Sequence, residues 1–468
     1  MITPGAAYWS TVQQARAIRE RKFKSRELLE LLIDRVQQIN GDLNAVVTLD
    51  LDRARLAADA ADEAMGSGHS YGPLHGVPVT IKDALETKGL RSTGGATELA
   101  DYIPSRDAPV VAAIKDAGAI VFGKTNLPRW SGDIQSYNEM FGTTVNPWNA
   151  QRVPGGSSGG AAAAVSAGLS SFEIGTDIGG SIRFPASFCG IYGHKPSFGV
   201  IPSTGYLDHQ QGGLTEADVN VIGPLARSAE DLELLTSLML RQTGPLVASL
   251  PSAPKDITTL KVAVWLDDSF CPLDIKVTAV LENAVENLAK TGVSVDRNAR
   301  PGIEAEEAFQ IGIWLVTSAM LQSMPEQTLE ALRDAGAPRE TRHRQWLDYD
   351  SRRQEIRLKW QTFFSGYDAI IMPISPVSPF AHNQEGDFGS RTLLSTDGTP
   401  RPYADLVRWT ILTGMAYLPS TTAPIGLDED GLPVSFQVVG PYGSDFMTIR
   451  LADFIAQHNM AYQRPPLD

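Results

Sequence analysis

The sequence predicts an α/β fold in which helices cover both faces of a β-sheet. Two observations lead to this fold class. Short apolar runs of strand length alternate with amphipathic, helix-like stretches along most of the 468 residues. The composition is that of a globular protein, with 43% hydrophobic and 20% charged residues, so the chain is long enough to bury a sizeable core and a pocket.

The N-terminal half supplies helices and strands in alternation. Apolar residues at three- and four-residue spacing predict an amphipathic helix over 25–39. Further helices are predicted over 54–65 and 157–168, and strands over 43–49, 77–81, 119–122 and 171–174. The strand over 77–81 places Lys82 at its end, where the apolar flank of the strand would bury the lysine.

A second α/β stretch follows a proline-rich segment. Residues 242–256 contain three prolines and are the best candidate for a linker. After it, 260–265 restarts an α/β pattern that runs to 368–373. Near the end, 426–432 is predicted as a turn between two strands, of which the second covers 434–439.

Charge and cysteine content exclude several classes of function. The net charge of −14 argues against attraction to nucleic acid phosphates or anionic lipid. Cys189 and Cys271 are the two cysteines, so there is neither a disulfide framework nor a CxxC pair. The N-terminus lacks a signal-peptide pattern, and no run of about 18 apolar residues occurs. We therefore expect a soluble, cytoplasmic protein with no membrane span that acts on a neutral or small substrate.

Two glycine-framed serine motifs are the most informative feature of the chain. Pro154–Gly160 contains Ser157, and Gly175–Pro185 contains Ser181. A serine hydroxyl needs a neighbouring base before it becomes a nucleophile, and Lys82 is the nearest promising base. Lysine acts as a base only when it is neutral, which burial favours because desolvation lowers its pKa. An ordinary surface lysine at a strand end is the alternative, and both interpretations stay open at this point.

Ser181 directly follows Ile178, Gly179 and Gly180. Glycines in such a turn allow successive backbone N–H groups to converge on one point, as an oxyanion hole requires. A tight turn at the end of a strand, with no catalytic role, is the other interpretation of this segment.

Two further interpretations of the glycine-rich motifs fit less well. Gly155–Gly159 matches the G-x-S-x-G nucleophile elbow, but that motif follows an apolar strand, and Asn146–Pro154 is polar and broken by prolines. No phosphate-binding pattern of the Walker A or dinucleotide type occurs. Serine and lysine chemistry on amide-like bonds is therefore the favoured hypothesis.

Five motifs, in matching order and spacing, resemble the amidase signature family. They are Gly76–Asp83, Phe122–Pro128, Phe141–Trp148, Pro154–Gly160 and Gly175–Pro185. The resemblance implies the amidase signature fold, a large mixed β-sheet with helices on both faces. It also implies a single domain over 1–468 with a signature core at about 70–230, and we expect a smaller subregion at about 245–370.

The resemblance implies a Ser-cisSer-Lys triad. Ser181 would form the acyl-enzyme, and Ser157, preceded by a cis peptide bond from Gly156, would relay the proton to Lys82. Backbone N–H groups would hold the oxyanion, namely those of Ile178, Gly179, Gly180 and Ser181. The family chemistry needs no metal and no cofactor.

Other residues have supporting or substrate-contacting positions in the family pattern. Asp177 and Arg183 would support the glycine turn, and Ser158 would assist through hydrogen bonding. Ser131 falls where the family's main-chain carbonyl meets the substrate, although this chain departs from the usual Pro-Glu pattern in the segment that contains it.

Two further sets of residues are candidates for the pocket wall. In the segment that departs from the family pattern, Trp130 and Asp133 are predicted to shape the pocket. The alternative for Trp130 is that it is an ordinary core residue. Between 304 and 324, apolar residues either line a channel or form a buried helix face; they are Phe309, Ile313, Trp314, Val316 and Met320.

The predicted function is hydrolysis of a small-molecule carboxylic amide, with aryl or alkyl amides first and carbamates or esters next. The sequence of Gly175–Cys189 is closer to fatty-acid-amide and aryl-acylamide hydrolases than to the glutamine-using amidotransferase component. The alternatives are the glutamine-hydrolysing subunit of a tRNA-dependent amidotransferase, which would work in a complex, and a non-enzymatic binding module. The oligomeric state stays open, with a homodimer as one expectation.

Overall fold

The computed structural model describes residues 2–242, 249–321, 324, 326–327, 329–330 and 342–467. Within these ranges the α-helices are α1 Thr11–Arg19, α2 Ser25–Leu43, α3 Leu51–Gly66, α4 Pro109–Asp116, α5 Gly159–Ser166, α6 Arg183–Phe188, α7 Ala229–Met239, α8 Ile275–Lys290, α9 Ala305–Leu321, α10 His343–Phe363, α11 Arg408–Gly414 and α12 Asp445–Gln457. No helix in the described part of the chain is both long enough and apolar enough to cross a bilayer.

The strands of the same ranges are β1 Val46–Leu49, β2 Pro78–Lys82, β3 Ile120–Thr125, β4 Tyr137–Asn138, β5 Gly142–Thr143, β6 Glu173–Asp177, β7 Tyr192–Lys195, β8 Val221–Ala226, β9 Lys261–Val264, β10 Ser294–Asp296, β11 Ala369–Pro373, β12 Thr392–Leu394, β13 Pro400–Pro402, β14 Ser420–Thr422, β15 Gly426–Leu427, β16 Pro433–Val434 and β17 Phe436–Val439. Eight of them form one sheet in the order β10-β9-β11-β17-β14-β7-β8-β6. In this sheet β9 pairs in parallel with β10 and β11, and the other pairs are antiparallel.

Helices cover both faces of this mixed sheet. Ile370 and Met372 point into one core cluster, with the buried sides of α9, α10 and α11, whereas Ile371 points into another, with α7, α8 and α12. Successive residues of a strand face opposite sides of the sheet, so the two clusters lie on its two faces. Because both faces are covered, Val262–Val264 of β9 and Ala369–Pro373 of β11 are continuous apolar runs. The structure confirms the predicted fold class.

Lys82 lies outside the large sheet. Its strand, β2, pairs in parallel with β3, and β1 pairs antiparallel with β3, which gives a separate three-stranded sheet. This small sheet packs with β2 against β6, the edge strand of the large sheet. The ends of β2 and β6 therefore meet, and the two glycine-framed motifs lie beside them.

Two elements have boundaries that differ from the predicted ones. The helix predicted over 157–168 begins only at Gly159, so Ser157 and Ser158 lie in the preceding turn. The strand predicted over 434–439 is split, because Val434 pairs with Gly426 in a hairpin whereas Phe436 pairs in the large sheet. Residues 243–248 of the predicted linker lie outside the described residues.

Candidate active site

Lys82 is fully buried at the end of β2. Its amine Nζ lies 2.7 Å from Ser157 Oγ, 2.7 Å from Thr176 Oγ1 and 3.0 Å from Ser158 Oγ. The surface-lysine interpretation is therefore excluded by the structure. Desolvation lowers the pKa of Lys82 to about 7, against a smaller opposing effect of nearby carboxylates.

The loop before α5 presents the two serines of the Pro154–Gly160 motif to this amine. The Gly156–Ser157 peptide bond is cis. Ser136 holds the loop in place, because its hydroxyl donates to the Gly155 carbonyl at 3.1 Å and accepts from the Gly159 N–H at 3.0 Å. Local sequence gives no sign of this contact, since Ser136 belongs to neither glycine motif.

A buried ion pair supports the turn that carries Ser181. Arg183 donates to both carboxylate oxygens of Asp177, at 2.8 and 3.0 Å. The same guanidinium donates to the carbonyl of Thr410 and to the side chains of Thr413 and Gln437, which ties the turn to α11 and β17. Both partners have side chains with no exposed surface, and the guanidinium holds the pKa of Asp177 below its usual value against desolvation.

The four amides expected in the oxyanion hole are not equivalent. The N–H of Gly180 donates to Asp177 Oδ1 at 2.8 Å, so it is already engaged. The N–H groups of Ile178, Gly179 and Ser181 donate to no other group of the described residues. Of the four amides, three thus have no acceptor in the described part of the chain, and the fourth stabilises the turn itself.

Ser181 lies at the opening of the site. It is 9% exposed, and the preceding Ile178 and Gly179 are half-buried. The Ser158 N–H donates to the Ser181 carbonyl at 3.3 Å, which brings the two serine motifs together. The hydroxyls of Ser157 and Ser181, both described, form no hydrogen bond with each other in this structure. Catalytic hydrogen bonds are often long in the absence of substrate.

Trp130 and Ser131 lie in a strained turn near the site. Both have positive φ, 52° and 56°. The Ser131 hydroxyl is buried and lies beside the Tyr206 phenol. Trp130 is buried and stacks on His209 at 5.4 Å between ring centroids.

The two side chains beside Gly179 come from a segment that the sequence did not mark as functional. The space beside Gly179 is bounded by Val407 and Ile411. Helix α9 lies behind them, because its Gly312 packs on Ile411. On α9, Phe309 and Val316 are buried in the core as a packed helix face.

Thr176 and Glu173 were also missed, although both lie on β6. Thr176 is inside the Gly175–Pro185 motif, and its hydroxyl completes the set of three around Lys82. Glu173 is fully buried, and desolvation raises its pKa to about 7. A charged residue in the strand predicted over Ser171–Ile174 was the available signal for it.

Comparison with known proteins gives consistent matches. The Amidase family model matches residues 27–449. The chain is 32% identical to the indoleacetamide hydrolase of Bradyrhizobium diazoefficiens, over 93% of this chain and 84% of that one. It is 31% identical to the A-type subunit of the glutamyl-tRNA(Gln) amidotransferase of Moorella thermoacetica, over 98% of both chains. A solved amidase structure, 26% identical, covers 96% of this chain and 100% of its own with a TM-score of 0.80.

Proposed function

The chain belongs to the amidase family, and from that premise we propose that it hydrolyses a carboxylic amide through an acyl-enzyme on Ser181. Lys82 and Ser157 relay the proton. The backbone N–H groups of Ile178, Gly179 and Ser181 bind the oxyanion. The observation that carries the proposal is the fully buried amine of Lys82, 2.7 Å from the Ser157 hydroxyl.

Burial gives Lys82 the charge state that a general base needs. At its unperturbed pKa, on the order of one lysine in 10³ is neutral at pH 7. With a pKa of about 7, about half of the amines are neutral there. Burial thus raises the neutral fraction of Lys82 at pH 7 by roughly three orders of magnitude. A pKa near the working pH is also the value at which a general base is most effective.

The reaction proceeds in two halves. Neutral Lys82 takes the Ser157 proton while Ser157 takes that of Ser181, whose Oγ attacks the amide carbonyl carbon. The tetrahedral oxyanion forms against the three free amides of the glycine turn. Its collapse breaks the C–N bond, and the proton returns through Ser157 to the departing amine. Water then attacks the acyl-enzyme by the same relay and releases the carboxylic acid.

Covalent labelling tests this assignment. A fluorophosphonate probe, located by peptide mapping, should label Ser181, and the labelling rate should rise with pH through about 7 as Lys82 loses its proton. Ser181→Ala should abolish labelling, and Lys82→Met should reduce amide turnover about 10³-fold or more. Label on Ser157 instead, or near-normal turnover by Lys82→Met, would contradict the proposal.

Lys195 supplies the matched control for loss of a buried lysine. It is also buried, and desolvation lowers its pKa to about 7, but its amine donates to the Pro196 carbonyl and to no serine of the described residues. Lys195→Met should therefore keep the pH dependence of Ser181 labelling. If both lysine variants lost activity and pH dependence alike, the assignment of Lys82 as the base would be contradicted.

The first substrate class is a neutral amide with an apolar acyl group. Val407 and Ile411 bound the space beside the glycine turn, and one relative is named an indoleacetamide hydrolase. A panel of an anilide, a fatty amide, a carbamate, an ester and glutamine separates the possibilities. Highest kcat/KM on the aryl or alkyl amides supports this class.

Glutamine hydrolysis for an amidotransferase is the second candidate. The observation that favours it is the 31% identity to an amidotransferase component over 98% of both chains. It predicts glutaminase activity and partner proteins that copurify with the chain. Turnover of arylamides by the isolated chain, with no activity on glutamine, would exclude it.

A further inference from the structure

The three groups that touch the Lys82 amine do not decide its charge. All are hydroxyls, from Ser157, Ser158 and Thr176. A hydroxyl both donates and accepts hydrogen bonds. The same three partners therefore satisfy an ammonium, which donates three bonds, and a neutral amine, which donates two and accepts one. Besides burial, which has the largest effect, the charge of Lys82 therefore depends on ionisable groups farther away.

Two buried carboxylates on β6 act on Lys82, and each raises its pKa, Asp177 more strongly than Glu173. Asp177 is paired with the Arg183 guanidinium at 2.8 and 3.0 Å, which offsets its negative charge. Glu173 has no such cation in contact among the described residues. Of the two carboxylates, Glu173 is therefore the one without an ion-pair contact in the described part of the chain.

Glu173 is held by the strands that end at the site. Thr80 on β2 donates to its Oε1 at 2.6 Å, and Thr125 on β3 donates to the same oxygen at 3.0 Å. The Ile174 N–H donates to Oε2 at 3.0 Å. Thr80 and Lys82 are two residues apart, so they lie on the same face of β2. The carboxyl is thus locked beside the strand that carries the base.

We propose that Glu173 is a positioning residue of the active site, whose buried carboxylate stabilises the ammonium formed when Lys82 takes the serine proton. This inference rests on the proposed function of Lys82 as the base. Without this carboxylate, no unpaired anion would oppose the effect of desolvation on the pKa of Lys82. That pKa would fall, and the amine would be a weaker base. Both groups have pKa values of about 7, so both change charge near neutral pH.

The other elements packed on β2 and β6 do not replace Glu173. Helix α5 carries no ionisable side chain. On β3, the Lys124 ammonium favours the ionised form of Glu173, while its own three protons are donated to Leu85, Thr87 and Ser92. Asp83, after β2, accepts from Thr93. The charged side chains of α2 are half-buried or exposed; they are Arg26, Glu27, Glu30, Asp34, Arg35 and Asp42.

Direct titration of Lys82 tests the inference. In protein grown with ¹³C-labelled lysine, the ε-methylene NMR signal of Lys82 is assigned by its loss in Lys82→Met. Glu173→Gln removes the charge but keeps the shape, and it should lower the pKa of Lys82 by about one unit or more. The midpoint of Ser181 labelling should move to lower pH by the same amount. Glu173→Asp, which keeps the charge, should restore most of the wild-type value.

Asp231→Asn is the matched control. Asp231 is another fully buried carboxyl, with a pKa that desolvation raises to about 6, and it binds the N–H groups of Thr11 and Val12 rather than the site. It should leave the Lys82 titration unchanged. An unchanged titration in Glu173→Gln as well, with labelling slowed equally at every pH, would reduce Glu173 to a structural role and overturn the inference. Failure of the proposed function would appear separately, as a wild-type Ser181 that does not label while Lys82 still titrates.

Discussion

Gly179 and Gly180 stand side by side before Ser181 but have different room for a side chain. A Cβ on Gly180 would lie 2.2 Å from Cε2 of Phe184, and Gly180 has a φ of +124°. A Cβ on Gly179 would meet only Val407 at 3.7 Å and Ile411 at 3.9 Å, which is ordinary contact. The turn therefore requires glycine at 180, whereas position 179 has space for a methyl group.

This difference predicts unequal effects of two alanine substitutions. Gly180→Ala should displace the turn or the Phe184 ring and so misplace the Ser181 amide and hydroxyl. Because a shift of about 1 Å costs on the order of 10² in rate, Ser181 labelling should fall by that amount. Gly179→Ala should melt at the wild-type temperature and lose much less of the labelling rate than Gly180→Ala does. Equal labelling rates for the two variants would show that the turn does not depend on this contact.

The sequence predicted those candidate site residues that lie inside local motifs. Lys82, Ser157 and Ser181 are each marked by a strand end or a glycine frame, and the structure brings Lys82 and Ser157 into contact. The pair between Asp133 and Arg391 spans 258 positions, and no local pattern marks it. Partners brought together by the fold are invisible to periodicity, because periodicity reports only which face of an element is buried.

The turn that contains Trp130 and Ser131 is held from outside by Asp133. Arg391 donates to Asp133 Oδ2 at 2.5 Å, Tyr137 donates to the same oxygen at 2.9 Å and Tyr403 donates to Oδ1 at 2.8 Å. The side chains of the ion pair are only 5% and 7% exposed. One carboxylate thus joins the turn to the segment of β12 and β13.

Removing this carboxylate should be costly. Asp133→Ala would leave the Arg391 guanidinium buried without an anion, which typically costs about 3–5 kcal/mol. The free energy of unfolding from urea titration should fall by that amount, and Ser181 labelling should slow because the turn at Ser131 loses its anchor. Glu307→Ala breaks the exposed pair with Arg352, whose side chains are 56% and 45% exposed. In this control the free energy of unfolding is expected to fall by about 0–1 kcal/mol. A decrease no larger than that in Asp133→Ala would contradict the structural role of Asp133.

Among whole elements, the core strands were the most predictable. The α/β pattern predicted from 260–265 to 368–373 begins and ends at core strands, β9 Lys261–Val264 and β11 Ala369–Pro373. Their apolar runs are a direct consequence of burial on both faces. The separation of β1, β2 and β3 into a second sheet was not predicted, because strand pairing depends on contacts between distant segments rather than on the residues of one strand.

The region predicted as a smaller subregion at about 245–370 shares its core with the rest of the chain. It contributes β9 and β10 to the large sheet, where β9 pairs with β11. Its Cys271 is buried in the cluster that also contains Trp409, and the Trp409 indole donates to the Cys271 carbonyl at 3.1 Å. Such shared packing favours unfolding as one unit.

The two cysteines report on this cooperativity from different places. Cys189 is buried in the cluster formed with α2, α3 and α5, and Cys271 lies in the predicted subregion. Burial raises the pKa of both thiols, so neither should react while the chain is folded. Each thiol therefore becomes reactive only when its own surroundings open.

Pulse labelling with iodoacetamide in increasing urea, followed by mass spectrometry of the two cysteine peptides, tests the single-domain prediction. If residues 1–468 unfold cooperatively, Cys189 and Cys271 should become reactive with the same midpoint, because opening the shared sheet exposes both clusters. Reaction of Cys271 at clearly lower urea would show that the subregion opens alone. The chain would then consist of two units.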